Sequence, residues 1–309
     1  MSKETAILQL MHTPGVGAKR LSRLLARLKA ENYPVEDFVV APINELTEKY
    51  GLTEGMATSL KEQLAKAIEV SEELWQHDIK IVMQHDREYP ESLTNILEDN
   101  APPVLFIKGN LNVLIKKSVG ICGSRKASEN GCELVRTSAG LLAQRVINIV
   151  SGYAHGIDLA AHMGALEKSG VTTFVLPLGI LNFQLKSSLA DLISEDNFLV
   201  ISEFIPHLGW EIHNAMRRNL TICGLSRAIV LVEPGLKGGT FEAGKTALKY
   251  NRPLFVVEHE AQTEREGNNY FLQRGANSLK EDENNSLELS SVIDAINSEA
   301  PKEKQQSLF

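Results

Sequence analysis

The segment Ser118-Val119-Gly120-Ile121-Cys122-Gly123-Ser124-Arg125-Lys126 decides how this chain is read. A short run of small and apolar residues stops at a glycine, and a helix start follows near Ser128-Glu129-Asn130. Such a run, too short for a helix and closed by turn residues, predicts a strand feeding a helix. The pattern recurs at Ile147 to Ser151, Thr172 to Leu178, Phe198 to Ser202, Ala228 to Glu233 and Pro253 to Glu258. Strands alternating with helices predict a doubly wound, mostly parallel sheet with right-handed crossovers. Two further apolar runs, Ile79 to Met83 and Val104 to Ile107, are expected to extend that sheet beyond a minimal core.

Upstream the period changes from two to that of a helix. Apolar residues recur as Ile7, Leu8, Leu10, Met11, then Leu21, Leu24, Leu25, Leu28, then Leu60, Leu64, Ala67, Ile68. Residues 1 to 72 are therefore expected to form a small all-helical module. Thr13-Pro14-Gly15-Val16-Gly17 breaks the first two helices apart, and Gly51 ends a helix over Ile43 to Tyr50. Residues 73 to 297 are expected to form the α/β domain and 298 to 309 a polar, frayed tail.

At 309 residues, with 43% hydrophobic and 23% charged, the chain can bury a sizeable core. No apolar run approaches the roughly 20 residues that span a bilayer, and the first residues lack the pattern of a secretory signal. Cys122, Cys132 and Cys223 follow no zinc or disulfide spacing. A cytoplasmic protein with neither metal nor cofactor is expected. The net charge of -7 argues at first against a polyanionic partner. Between Lys280 and Phe309, however, three Lys face seven Asp and Glu, so most of the excess lies in the last thirty residues.

In open parallel sheets ligands bind beyond the carboxyl ends of the strands. Gly123, Ser124, Arg125 and Lys126 follow the first strand, where glycine, free helix-start amides and a guanidinium suit an anion. The alternative is a plain turn with a solvated arginine. Ser151, Gly152, His155, Gly156 and Asp158 follow the second strand. Asp158 is read first as a helix cap and second as a brace for its loop. Met216-Arg217-Arg218-Asn219 is either a set of phosphate ligands or a solvated helix face. Lys237-Gly238-Gly239-Thr240 opens a helix that carries Lys245 and resembles a phosphate-binding start. Neither a three-glycine dinucleotide fingerprint nor a Walker loop is present, which argues against nicotinamide or ATP chemistry. In the helical module, Lys19, Arg20, Arg23, Arg27 and Lys29 follow the glycine hairpin, with no acid between Pro14 and Ala30. This resembles a helix-hairpin-helix, or else is a plain helical turn with a basic exterior, since the second unit near Gly51 lacks paired glycines.

Several of these stretches together resemble the DNA-processing protein A (DprA, also called Smf) family. They are Tyr89-Pro90-Glu91-Ser92-Leu93, Pro102 to Gly109, Gly123-Ser124-Arg125 and, most diagnostically, Ser151 to Asp158. Ser202-Glu203, Arg218-Asn219, Gly224-Leu225-Ser226, Gly239-Thr240, Gly267-Asn268-Asn269 and Gly275-Ala276 fall in the family's order. The resemblance implies an extended Rossmann fold preceded by a small helical SAM or helix-hairpin-helix-like domain. It further implies single-stranded DNA binding and protection, loading of the RecA recombinase in natural transformation (competence) and DNA recombination, and a homodimer through the Rossmann domain. Carried over, the phosphate pocket would comprise Arg125, the loop from Ser151 to Asp158, Arg218, Asn219, Gly239 and Thr240, with Lys186 weaker. His155 stands where Arg is common, Leu220 follows the Arg-Asn pair in place of Arg, Ala243 stands for Thr, and Glu258-His259 replaces Pro-Gly, which together imply a less basic pocket. With no winged-helix domain after Ile296, duplex binding from that source is not expected. The rival class is a nucleotide sensor or phosphoribohydrolase, but Glu242 lies two residues after Thr240 where such enzymes space it by three.

Overall fold

A computed structural model of the chain describes residues 1–259, 266–282 and 286–298. The expected tail at 298–309 lies outside the described residues apart from Ser298. Helices α1 (Lys3–His12), α2 (Ala18–Ala30), α3 (Val35–Val40), α4 (Ile43–Glu48), α5 (Glu54–Glu62) and α6 (Leu64–Gln76) come first. They are followed by β1 (Lys80–Met83), α7 (Glu91–Leu97), β2 (Val104–Gly109), β3 (Ser118–Gly123), α8 (Glu129–Ala143), β4 (Asn148–Ser151) and α9 (Ile157–Glu167). Then come β5 (Thr172–Val175), α10 (Ser187–Ala190), β6 (Phe198–Ser202), α11 (Ile212–Leu225) and β7 (Ala228–Val232). The order closes with α12 (Gly239–Lys249), β8 (Leu254–Glu258), α13 (Glu266–Leu272), β9 (Asn277–Lys280) and α14 (Ser290–Asn297). Among the described residues no helix is long and apolar enough to cross a membrane.

Contacts gather the chain into two compact units. The first holds Met1–Leu111, Val175–Ser187 and Leu199–Thr221. Its helices bury Leu21, Leu24 and Leu28 of α2, Leu60 of α5, and Ala67, Val70 and Leu74 of α6. Leu64 and Ile68, expected on that apolar stripe, are instead 38% and 42% exposed. The helix breaks at Gln63, so the face of α6 is reset by the new start. In the same unit β1 pairs antiparallel with β2, and β2 with β6. The two added runs thus join through antiparallel pairs, in keeping with a sheet expected to be mostly rather than wholly parallel.

The second unit holds Asn112–Phe174, Ser188–Phe198 and the chain from Ile222 onward. Its parallel strands run in the order β5, β4, β3, β7, β8, β9. Both faces are covered, which is why β3, β4 and β7 are buried along almost their whole length. Val119 and Ile121 of β3, with Val230 and Val232 of β7, join the core formed with α8, α9 and α14. The alternate residues face the opposite way, where Gly120 lies against Ile229 and Ile222 and Leu231 lies beside Gly244 of α12. Strand β5 is shorter than expected because Pro177 cannot donate to a ladder. Strand β9 was not anticipated: only Leu279 of its four residues is buried, so no apolar run marks it.

Helices α8 and α9 touch through small residues. A Cβ built on Gly164 would lie 1.9 Å from the Arg136 carbonyl oxygen. Gly164→Ala is therefore expected to lower stability by about 1 to 3 kcal/mol in urea unfolding, as overpacking does. Gly55→Ala, where nothing lies within 4 Å of the added carbon, should not lower it.

Candidate nucleic-acid interface

The second unit reverses its winding at β3. The chain runs β3, β4, β5 to one side and β7, β8, β9 to the other, so the carboxyl ends of β3 and β7 lie side by side. This is the crevice where open α/β sheets hold ligands.

The loop after β3 is fastened to both neighbours. Gly123 sits so close to the start of α9 that a Cβ there would lie 2.4 Å from Ile157. Gly156 has φ +78°, and its own Cβ would fall 2.5 Å from the Ser124 carbonyl oxygen and 3.0 Å from that of Arg125. The two expected glycines are thus required by close approach, and one of them also by a left-handed backbone. On the other side the Ser124 amide donates to the Val232 carbonyl at 3.2 Å. The Lys126 amide donates to Ser124 Oγ at 3.1 Å, and both Arg125 and Lys126 are exposed. Ser128 caps α8 by accepting from the Gly131 amide at 3.0 Å.

In the loop after β4, Ser151 Oγ is buried and donates to the Ile121 carbonyl at 2.5 Å, and Gly152 is buried. His155 is exposed. Asp158 is not the cap it was expected to be. Gly156 occupies the cap position of α9 without a side-chain bond, and Asp158 Oδ2 accepts from the Ala154 amide at 3.3 Å. It braces the loop, the second of the two roles considered.

The loop after β7 is held by a residue not singled out from the sequence. Glu233 has φ +48°, unusual for a residue with a Cβ. Its carboxylate accepts from Ser128 Oγ at 2.6 Å and from the Ser128 amide at 3.1 Å. His259 Nε2 lies 2.9 Å from the same carboxylate, and Asn130 Nδ2 is 3.4 Å from His259 Nδ1. One carboxylate thereby joins the loops after β3, β7 and β8. Beyond it, Gly238 at φ +96° precedes α12 and supplies no side-chain cap to the first turn, which holds Gly239 and Thr240. Lys237 is exposed in this loop. Lys245 is paired with Glu242 at 2.7 Å and lies over the Phe241 ring. Glu242, the candidate acid of the enzyme reading, is committed to that pair. Tyr153 and Phe241, the two aromatics of these loops, pack inward on Phe174 and on Phe271. Among the described residues no group of three or more His, Cys, Asp or Glu could hold a metal ion.

The remaining predicted residues belong to the first unit. Lys186 is half-buried just before α10. In α11, Arg217 Nε donates to Glu203 Oε2 at 2.6 Å, and Thr221 donates to the other oxygen at 2.9 Å. Burial pushes the Glu203 carboxyl up, opposed by the charge and hydrogen bond of Arg217. Arg218 is 6% exposed and donates to the Val175 carbonyl at 3.1 Å, and Asn219 is buried. Neither arginine is the solvated helix face that adjacent charges usually form.

The model of the family described as DNA recombination-mediator protein A matches residues 80–290. The chain belongs to that family. Among curated relatives, DNA processing protein DprA of Streptococcus pneumoniae is 36% identical over 171 residues, 55% of this chain and 59% of the relative. Protein Smf of Escherichia coli is 32% identical over 194 residues, 61% of this chain and 50% of the relative. The matches thus span only about half to three-fifths of those relatives' length. The solved DprA of Streptococcus pneumoniae superposes with a TM-score of 0.73 at 25% identity, covering 90% of this chain and 94% of that one. The DNA processing protein A of Helicobacter pylori, a structure described for its single-stranded DNA binding mode, gives 0.57 at 25% identity, covering 71% and 94%.

Glu233→Ala removes every hydrogen bond that the carboxylate accepts. It is expected to lower stability by about 1.5 to 3 kcal/mol in urea unfolding, with Glu233→Gln losing less because the amide oxygen still accepts.

Proposed function

We propose that the chain is a non-enzymatic recombination mediator that binds single-stranded DNA along the carboxyl edge of its parallel sheet. The observation that carries this is the fastening of the loops after β3, β4 and β7 into one rim. Gly123, Gly156 and Glu233 join them, and Arg125, Lys126, His155 and Lys237 are exposed upon them. Such a rim offers backbone amides and cations to phosphates, and with its rings packed inward it leaves little for base stacking. Membership of the mediator family, and the single-stranded DNA binding described for the Helicobacter pylori relative, support the same reading.

Residues Gly123 to Lys126, Ser151 to Asp158, Gly239, Thr240 and Lys245 form the proposed site in the second unit. In the first unit Lys186, Arg217, Arg218 and Asn219 are proposed as a set of their own, with the two arginines acting through the elements they brace. Delivery of the strand to the RecA recombinase, a homodimer through the Rossmann domain, cytoplasmic action and modules at 1–72 and 73–297 complete the proposal.

The test is a titration of oligo-dT. Affinity should fall steeply with salt, and Arg125→Ala should weaken binding by about 1 to 3 kcal/mol, the range for removing a charge-assisted hydrogen bond. Unchanged affinity in that variant would remove Arg125 from the site.

A further inference from the structure

The family model matches from residue 80 onward, after the helical module. Helix α2 buries Leu21, Leu24 and Leu28, and on the remaining surface it carries five cations and no acid. Two of the five are engaged within the module. Arg27 pairs with Glu31 at 2.8 Å and, with Tyr50 and Lys49, holds that carboxyl down at about 2. Arg20 donates to the Gly15 carbonyl at 3.0 Å. Lys19, Arg23 and Lys29 are exposed and make no ion pair among the described residues.

Lys19 and Arg23 stand one turn apart, about 6 Å along the axis, and like charges at that spacing repel. Exposed Ala26 and Ala30 lie on the same side of the helix, low enough for a polyanion to approach. Ser22 Oγ donates to Gln84 at 3.3 Å, which brings the loop after β1 beside α2. There, partial burial followed by the charges of Lys29 and Lys3 depresses His85, against the pull of Asp86. No aromatic residue occurs between Met1 and Asn32, and the nearest rings, Tyr33 and Tyr50, are stacked on each other beneath Lys49 and Arg27. A face with cations and no available ring suits phosphates whose bases are already stacked, which is the surface of a duplex.

We infer that the Lys19, Arg23 and Lys29 face of α2 is a second nucleic-acid surface that takes the phosphate backbone of duplex DNA. It shares no residue with the single-strand rim and does not depend on that reading. The test uses the full chain and three labelled probes, a 30-bp duplex, the same duplex with a single-stranded tail, and oligo-dT. The exposed triple change Lys19→Glu, Arg23→Glu and Lys29→Glu should weaken duplex binding at least about tenfold. It should also reduce the salt dependence by about two to three units of log-log slope, near 0.9 for each phosphate no longer neutralised. Oligo-dT binding should stay within about twofold, and binding of the tailed duplex should fall toward that of oligo-dT. The triple Gln variant, which removes charge without reversing it, should show the same direction, and unchanged thermal unfolding midpoints would show that both variants fold. Arg125→Ala should do the reverse, sparing the duplex, so failure of one surface is distinguishable from failure of the other. Duplex affinity unchanged in both triple variants, equal losses on duplex and oligo-dT, or no duplex binding by the parent protein at low salt would each overturn the inference.

Discussion

The structure depends on the flanking of β3 by two parallel partners, β4 and β7, from which the chain departs in opposite directions. Parallel pairing of short, fully buried strands requires cover on both faces, and α8, α9 and α14 on one side with α12 on the other supply it. The same reversal leaves a gap between the outgoing loops, and the chemistry of the rim follows from how that gap is closed. Glycine backbone packs against the neighbouring loop on the β4 side. On the β7 side an amide and a carboxylate do the joining.

Much of this was legible in the sequence because it is local. The β3, β4 and β7 runs are short, apolar and closed by turn residues, and the glycines at 123 and 156 stand where the backbone must approach closely or turn left-handed. The helix start near Ser128 was visible for the same reason. What escaped is set by partners far away in sequence. Glu233 meets Ser128 across 105 positions, and nothing near it marks a positive φ. Arg217 and Arg218 could be read as ligands or as solvent-facing charges. The pairing of Arg217 with Glu203 and the burial of Arg218 against the Val175 carbonyl are tertiary facts with no periodic signature. Strand β9 escaped for a different reason, since an edge strand with one buried side chain has no pattern to display.

The charge of the molecule is divided rather than averaged. An overall acidic chain carries one helix with five cations, while the acidic excess is concentrated in the last thirty residues. Net charge governs solubility and long-range steering, whereas a contact only Ångströms wide is governed by the local field. A polyanion partner and an acidic whole are therefore compatible.

Locking the rim at its backbone separates its shape from the side chains it displays. With Gly123 and Gly156 fixing where the main chain lies, the exposed side chains at 125, 126 and 155 hang from a rigid frame. An exchange at 155, where histidine stands exposed, would change the chemistry this frame presents to solvent without reshaping the fold.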